Sequence, residues 1–191
     1  MLNIKRMTRN LLIMQYPSEL EQFLLFMKNN HVKSYLEIGV GSGHLVSLVD
    51  GFLKPDKAYA CDVRFPDCLK DHPSIEFCHD SCYGKHYLEW RNSLGHIDMV
   101  FVDAIHRRRF IRKDYNREKL FPHRFLAFHD IANKRYPKLS KFWKRKVAGQ
   151  KIIFVNTNPE ENLISLQKTK EKYAYKKKYG TSCGIGICWE K

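Results

Sequence analysis

Nowhere in the 191 residues does an apolar run approach the roughly 18 needed to cross a bilayer, so the sequence predicts no membrane span. The basic N-terminus (Lys5, Arg6, Arg9) lacks the apolar segment that a signal peptide would place after it. None of the six cysteines forms a C-x-x-C pair, and neither structural disulfides nor a structural zinc is expected. Cys183 and Cys188 stand five apart in a strand-like run, on opposite faces, and cannot chelate one ion together. Cys61 and Cys78 sit in apolar runs as small hydrophobes. These absences point to a reducing, cytoplasmic setting. Acids are scarce too: 20 Asp and Glu stand against 34 Lys and Arg, a formal charge of +14. Such a surface attracts anions without choosing among nucleic acid, an acidic metabolite and an anionic membrane. There is no internal repeat and no second core. With 43% hydrophobic residues the chain lies outside the disordered class, and its length suits one domain. The division expected is an N-terminal arm and helix over residues 1–32 and a folded domain over 33–191.

What is present is an alternation. Ser18 followed by Glu21 resembles a capping box ahead of Leu20, Phe23, Leu24 and Met27, which predicts a helix over residues 19–30. Strands are expected at 34–39, 57–62, 74–78, 97–103, 124–129, 151–156 and 183–189. Helices are expected between them, after the Gly turn through residue 53 and over 87–94, 107–119 and 139–148. Apolar strands alternating with helices predict an α/β, Rossmann-like, mostly parallel seven-stranded sheet with helices on both faces. Residues 158–181 are basic without clear amphipathic period and read as an insertion or mobile loop.

In open α/β sheets ligands bind beyond the carboxyl ends of the strands. The first such end carries Glu37-Ile38-Gly39-Val40-Gly41-Ser42-Gly43. Glycines there let the backbone approach a ligand, and the next helix offers free N–H groups. A dinucleotide fingerprint would need its third glycine at position 44, where His44 stands. Asp62 ends the second strand, nineteen residues after Gly43, the offset of an acid that bonds ribose hydroxyls. Asp80-Ser81 follow the third strand. The E-x-G-x-G-x-G pattern resembles motif I of class I S-adenosylmethionine-dependent methyltransferases, and the resemblance runs from about Ser34 to Trp189. It implies that Glu37, Gly39, Gly41 and Gly43 face the methionine moiety of S-adenosylmethionine, Asp62 the ribose, and Asp80 with Ser81 the adenine.

The fourth and fifth strands end in Asp103-Ala104-Ile105-His106 and His129-Asp130. Asp103 and Asp130, with His129 as a less natural third ligand, could hold a hard divalent cation such as Mg²⁺. The V-D-x-x-H and F-H-D signatures are similar to a branch of small-molecule O-methyltransferases that includes antibiotic-sugar enzymes. That resemblance implies Mg²⁺ on the strand-end carboxylates and His106 as base. This chain departs from the branch at Ala104, where a glycine is usual, and in the cationic run Arg107–Arg109. The expected reaction is methyl transfer to the hydroxyl of a small molecule, with Asp103 and His106 as catalytic residues. The plain alternative for His106 is a ring that bonds a neighbouring carbonyl.

Basic residues cluster at 107–113, 134–146 and 168–178, the latter two with Tyr136, Phe142, Trp143, Tyr173 and Tyr175 interleaved. Aromatics beside cations can grip single-stranded nucleic acid, but Leu139, Phe142, Trp143 and Val147 share one helical face and read as core. The alternative function is therefore a nucleic-acid methyltransferase. Against it, neither an Asn/Asp-Pro-Pro-Tyr element nor a Pro-Cys nucleophile occurs. A third reading is a non-catalytic nucleotide-binding or scaffold protein.

Overall fold

The structure, a computed structural model, describes residues 3–8, 10–158, 160–166 and 182–190. Two helices come first, α1 (Ile4–Met7) and α2 (Pro17–Asn29). Then strands and helices alternate: β1 (Ser34–Ile38), α3 (His44–Leu53), β2 (Lys57–Asp62), β3 (Ile75–His79), α4 (Lys85–Ser93), β4 (Ile97–Val102), α5 (Arg108–Glu118), β5 (His123–Phe128), α6 (Pro137–Lys146), β6 (Gln150–Phe154) and β7 (Ile185–Trp189). Single 3₁₀ turns stand at Asp67–Asp71 and Ile164–Leu166.

All seven strands join one sheet in the order β3-β2-β1-β4-β5-β7-β6. The five from β3 to β5 pair in parallel, and β7 runs antiparallel between β5 and β6. The expected Rossmann-like α/β class is what the structure shows. The chain moves outward from β1 to β3, then returns to lay β4 on the other side of β1. That reversal opens a crevice at the carboxyl ends of β1 and β4.

Strand side chains alternate, and the period of two decides which residues meet. Tyr35, Met99, Phe101, Phe125, Ala127, Ile185 and Ile187 pack under α2 and α3. Leu36, Ile38, Val100, Val102, Leu126 and Phe128 pack under α4, α5 and α6. Counting on by twos, Glu37, Asp103, His129 and Cys183 belong to the α2 face. This parity governs the site described below.

Three sequence readings are adjusted or placed. Helix α2 starts at Pro17 with Tyr16 as its N-cap, without a side-chain capping bond. Proline's fixed φ suits the first helical position, so Ser18 falls inside the first turn. Its hydroxyl donates to Asn156 Oδ1 (2.8 Å) and its N–H to Glu161 Oε2 (3.0 Å) instead of closing a capping box. Leu139, Phe142, Trp143 and Val147 are buried, as their helical spacing suggested. Of the basic insertion, Ile164 and Ser165 donate backbone bonds to the carbonyls of Gln15 and Ile13, while residues 168–178 lie outside the described residues. Among the described residues no helix is long and apolar enough to cross a membrane.

Candidate active site

Two adjoining cavities, of about 260 and 290 Å³, open at the crevice and share Gly39, Gly41 and Asp103. The turn between them depends on glycine. Gly39 has φ +84°, and a Cβ there would lie 2.6 Å from Ala104 Cα, inside van der Waals contact with backbone. Gly43 has φ +78°, and its Cβ would meet Cys68 Sγ at 2.6 Å. Ala104, where the resembled branch carries glycine, is thus the residue on which Gly39 packs. Of the sequence-predicted cofactor residues, Glu37, Gly39, Gly41, Asp62, Asp80 and Ser81 border this crevice, and Gly43 packs against Cys68 outside the cavity linings. Glu37 is buried beneath it and accepts a bond from the Tyr35 hydroxyl at 2.9 Å. Burial pushes its carboxyl well above the usual range, the Tyr35 bond opposing this and the neighbouring Asp103 charge adding to it.

Asp62, Asp80, Ser81, Cys61 and Ile105 line the larger cavity. Asp62 receives the N–H of Gly41 on one oxygen and that of Arg64 on the other, both at 3.1 Å. Each oxygen retains a second lone pair, so the acid is oriented without being used up. Asp80 receives the N–H groups of Ser81 (2.7 Å) and Tyr87 (3.2 Å). It therefore caps the first turn of α4 while bordering the cavity.

The smaller cavity holds the ionisable cluster. His106 bridges the two strand-end acids: its Nε2 lies 2.8 Å from Asp103 Oδ1 and its Nδ1 2.8 Å from Asp130 Oδ2. His129 Nδ1 lies 3.1 Å from the same Asp103 oxygen and 3.9 Å from Asp130 Oδ1. Asp130 would face the other side of the sheet by strand parity. It reaches the cluster because its backbone turns left-handed, with φ +60°, a conformation that Asp tolerates better than most residues. Asn133 Nδ2 then donates to Asp130 Oδ1 at 2.8 Å and holds it there.

The electrostatics follow from this packing. Burial works against charge on His106, but its bonds to Asp103 and Asp130 outweigh that and push the imidazole up to about 9. Burial likewise opposes charge on His129, and the two acids raise it well above its ordinary value. Asp103, whose burial alone would raise it, is held well below the usual carboxylate range by His129 and His106. At neutral pH the cluster is two carboxylates balanced by imidazolium.

Sequence reasoning located Asp103, His106, His129 and Asp130 but missed the wall facing them. Gln15 Nε2 donates to the second oxygen of Asp103 at 3.2 Å. The segment around it is tied over the crevice by Ser42 Oγ, which donates to the Leu12 carbonyl at 2.7 Å. Tyr136 sets its ring edge-on to His106 with centroids 5.0 Å apart. Glu19 and Cys183 reach His129 from α2 and from the start of β7. Glu19 did carry a signal, being an acid four residues before Phe23 on the apolar stripe of an amphipathic helix.

No protein-family model and no curated protein matches the chain. Solved structures do. An O-methyltransferase from Bacillus cereus in complex with SAH aligns with TM-score 0.62 and 10% identity over 92% of this chain and 81% of that one. The methyltransferase domain of bacterial CtHen1-CN aligns with TM-score 0.63 and 15% identity over 90% of this chain and 97% of that one. MycE, a methyltransferase of the mycinamycin biosynthetic pathway in complex with Mg, SAH and mycinamycin VI, aligns with TM-score 0.52 and 17% identity. There the match covers 62% of this chain and 36% of MycE. At such identities the likeness establishes a shared fold, and function has to be argued from the site.

Proposed function

We propose that this chain is an S-adenosylmethionine-dependent methyltransferase that transfers the methyl group to a hydroxyl of a small molecule. The observation that carries the reading is the pair of cavities meeting at Gly39 and Asp103, one lined by Asp62 and Asp80 and the other by His106. An adenosine in the first would direct its sulfonium toward the second. Glu37 and the glycines would hold the methionine end, Asp62 the ribose, and Asp80 with Ser81 the adenine. Once neutral and freed at one ring nitrogen from Asp103 or Asp130, His106 takes the hydroxyl proton there as the acceptor oxygen bonds to the methyl carbon, whose bond to sulfur breaks, leaving the demethylated cofactor. Holding the acceptor and the sulfonium in line supplies much of the acceleration.

The residues present also fit a divalent cation. Asp103 and Asp130 bring two negative charges to one place, and His106 as imidazolium already supplies part of the balancing charge. Asp103 and Asp130 would hold Mg²⁺, and His129, the third residue the sequence offered, keeps Nδ1 on Asp103 and orients that carboxylate; MycE, of the same fold, is described with Mg. Such an ion would supply Lewis-acid lowering of the hydroxyl's pKa. His106 must be neutral to act as base. Drawing the two carboxylates toward an ion would release it from the charge they impose.

Calorimetry with S-adenosylhomocysteine tests the cofactor reading. Loss of hydrogen bonds to a charged group is worth about 1.5–3 kcal/mol, so Asp62→Ala is expected to weaken binding by roughly 10- to 100-fold. Undetectable binding to the wild type, or equal affinity in the variant, would end the proposal.

One observation favours a second reading, a nucleic-acid acceptor. Arg135 lines the His106 cavity, and exposed Arg107, Arg108, Arg109, Lys138 and Lys141 stand on the flanking elements α5 and α6. Labelled cofactor offered to mixed RNA and to a panel of sugars and diols separates the two. Label is expected on a small hydroxyl, and RNA labelling that vanishes in Asp103→Ala would reverse the assignment.

A further inference from the structure

Where His129 and Cys183 line the smaller cavity, on the α2 side of the sheet, three metal-ligating side chains converge with almost no exposure to solvent. Glu19, His129 and Cys183 are 0%, 3% and 1% exposed. One carboxylate oxygen, one ring nitrogen and the thiol sulfur lie within 4.8 Å of one another. The fold explains the meeting. β5 and β7 are antiparallel neighbours with Phe128 opposite Gly186, and beyond them Ala132 N donates to the Cys183 carbonyl at 2.8 Å. His129 and Cys183 share the face that α2 covers, and Glu19 lies on the buried stripe of α2.

Two of these groups carry a buried atom that lacks a hydrogen-bond partner, Glu19 Oε2 and His129 Nε2. An unsatisfied buried polar atom costs about 1–3 kcal/mol and calls for an explanation. Both residues are nevertheless firmly oriented by their other atoms. Glu19 Oε1 accepts from the backbone N–H groups of Asn156 (3.0 Å), Cys183 (3.0 Å) and Gly184 (3.1 Å) and from the Ser182 hydroxyl. His129 presents Nδ1 to Asp103 at 3.1 Å, which leaves Nε2 for the other side. A carboxylate behind one ring nitrogen is how metal-binding histidines are commonly fixed. The Cys183 sulfur accepts from Asn133 Nδ2 at 3.6 Å, donates to the Met14 carbonyl at 3.8 Å and faces the His129 imidazole. An N–H directed at sulfur suits a thiolate.

We propose that Glu19, His129 and Cys183 form a buried site for a borderline transition metal, zinc in the first instance. The donor set decides the metal class: thiolate and imidazole disfavour Mg²⁺ and Ca²⁺ and suit Zn²⁺. The charges agree as well, since one carboxylate and one thiolate neutralise a divalent ion in an apolar setting. On binding, the Cys183 S–H and the His129 Nε2–H bonds give way to sulfur–metal and nitrogen–metal bonds, and both protons leave to solvent. Without the ion burial pushes that thiol up to about 12, so it stays protonated. The three ligands come from positions 19, 129 and 183, and no C-x-x-C spacing announces them. The ion would tie the N-terminal helix to the ends of β5 and β7, directly behind Asp103. The proposal does not rest on methyl transfer, and cofactor calorimetry reads the two independently.

The full-length chain would be stripped of metal, loaded with Zn²⁺ or Co²⁺, and assayed for bound metal and absorption. About one zinc per chain is expected, with a thiolate-to-cobalt charge-transfer band in the near ultraviolet. Cys183→Ser should abolish that band, Glu19→Gln and His129→Gln should weaken zinc binding at least tenfold, and Cys78→Ser, at a cysteine that lines neither cavity, should leave band and affinity unchanged. Circular dichroism establishes that each variant is folded. If Cys183→Ser fails to fold, zinc-edge X-ray absorption of the loaded wild type replaces it: one sulfur at about 2.3 Å among nitrogen and oxygen ligands is expected. No stoichiometric zinc in the wild type, a band that persists without Cys183, or a zinc shell without sulfur would each overturn the site.

Discussion

Replacing His106 by alanine is expected to lower kcat by about 10²- to 10⁴-fold, the range of a positioned general base, while S-adenosylhomocysteine binds within about twofold of wild type. The separation is expected because His106 lines the cavity opposite the adenosine side and makes its polar contacts to Asp103 and Asp130. Its titration supplies the sharper readout. The base must be neutral, and its pKa is pushed up to about 9. Without added divalent ion, kcat should therefore rise with pH toward a limb near 9 that is missing in His106→Ala. Asp103→Asn removes one of the two acids holding the charge, and adding Mg²⁺ draws both away, so each should move the limb to lower pH. Stability carries the opposite sign. A histidine whose pKa is raised on folding contributes its full share below its unfolded value of about 6.5 and loses it as pH climbs through about 9. Activity gained and stability lost over one pH window would identify one titrating group. A kcat limb unchanged by either substitution would remove His106 from the mechanism.

Much of this cluster was legible in the sequence because parallel strands are buried on both faces and declare themselves as apolar runs. Any acid or histidine at the end of such a run stands at the crevice, and Asp62, Asp80, Asp103, His106 and His129 were located in that way. Asp130 was located as well, and it joins the cluster because a left-handed backbone turn overrides the alternation that would send it to the opposite face. The remainder was hidden for physical reasons. Gln15, Glu19 and Cys183 are brought in by tertiary packing between segments more than fifty residues apart, which no local spacing encodes. Ser18 and Glu21 matched a capping pattern, yet Pro17 took the first helical position. The second sequence feature that went unread is a pair of charges, Arg91 and Glu118, lying in helices that look merely amphipathic.

Those two charges are expected to give the largest stability effect in the molecule. Arg91 Nε donates to Glu118 Oε2 at 3.1 Å, and the side chains are 0% and 1% exposed. The Tyr87 hydroxyl donates to the other oxygen of Glu118 at 2.8 Å, and Arg91 also reaches the carbonyls of Gly95 (3.1 Å) and Pro122 (3.3 Å). The network pins α4 to α5 at the amino ends of β4 and β5, remote from the crevice at the strands' carboxyl ends. Removing one partner strands the other charge without water, so Arg91→Met and Glu118→Leu should each cost about 3–5 kcal/mol. At about 2–4 °C per kcal/mol for a domain of this size, that is a fall in Tm of roughly 6–20 °C. The double variant should be far less damaged than the sum of the two, since apolar side chains of similar volume replace a buried ion pair at little net cost. Denaturant unfolding of all four proteins gives the coupling energy directly. Additive losses would mean that each side chain acts through its own packing, and the charge pair would then have no part in holding α4 against α5.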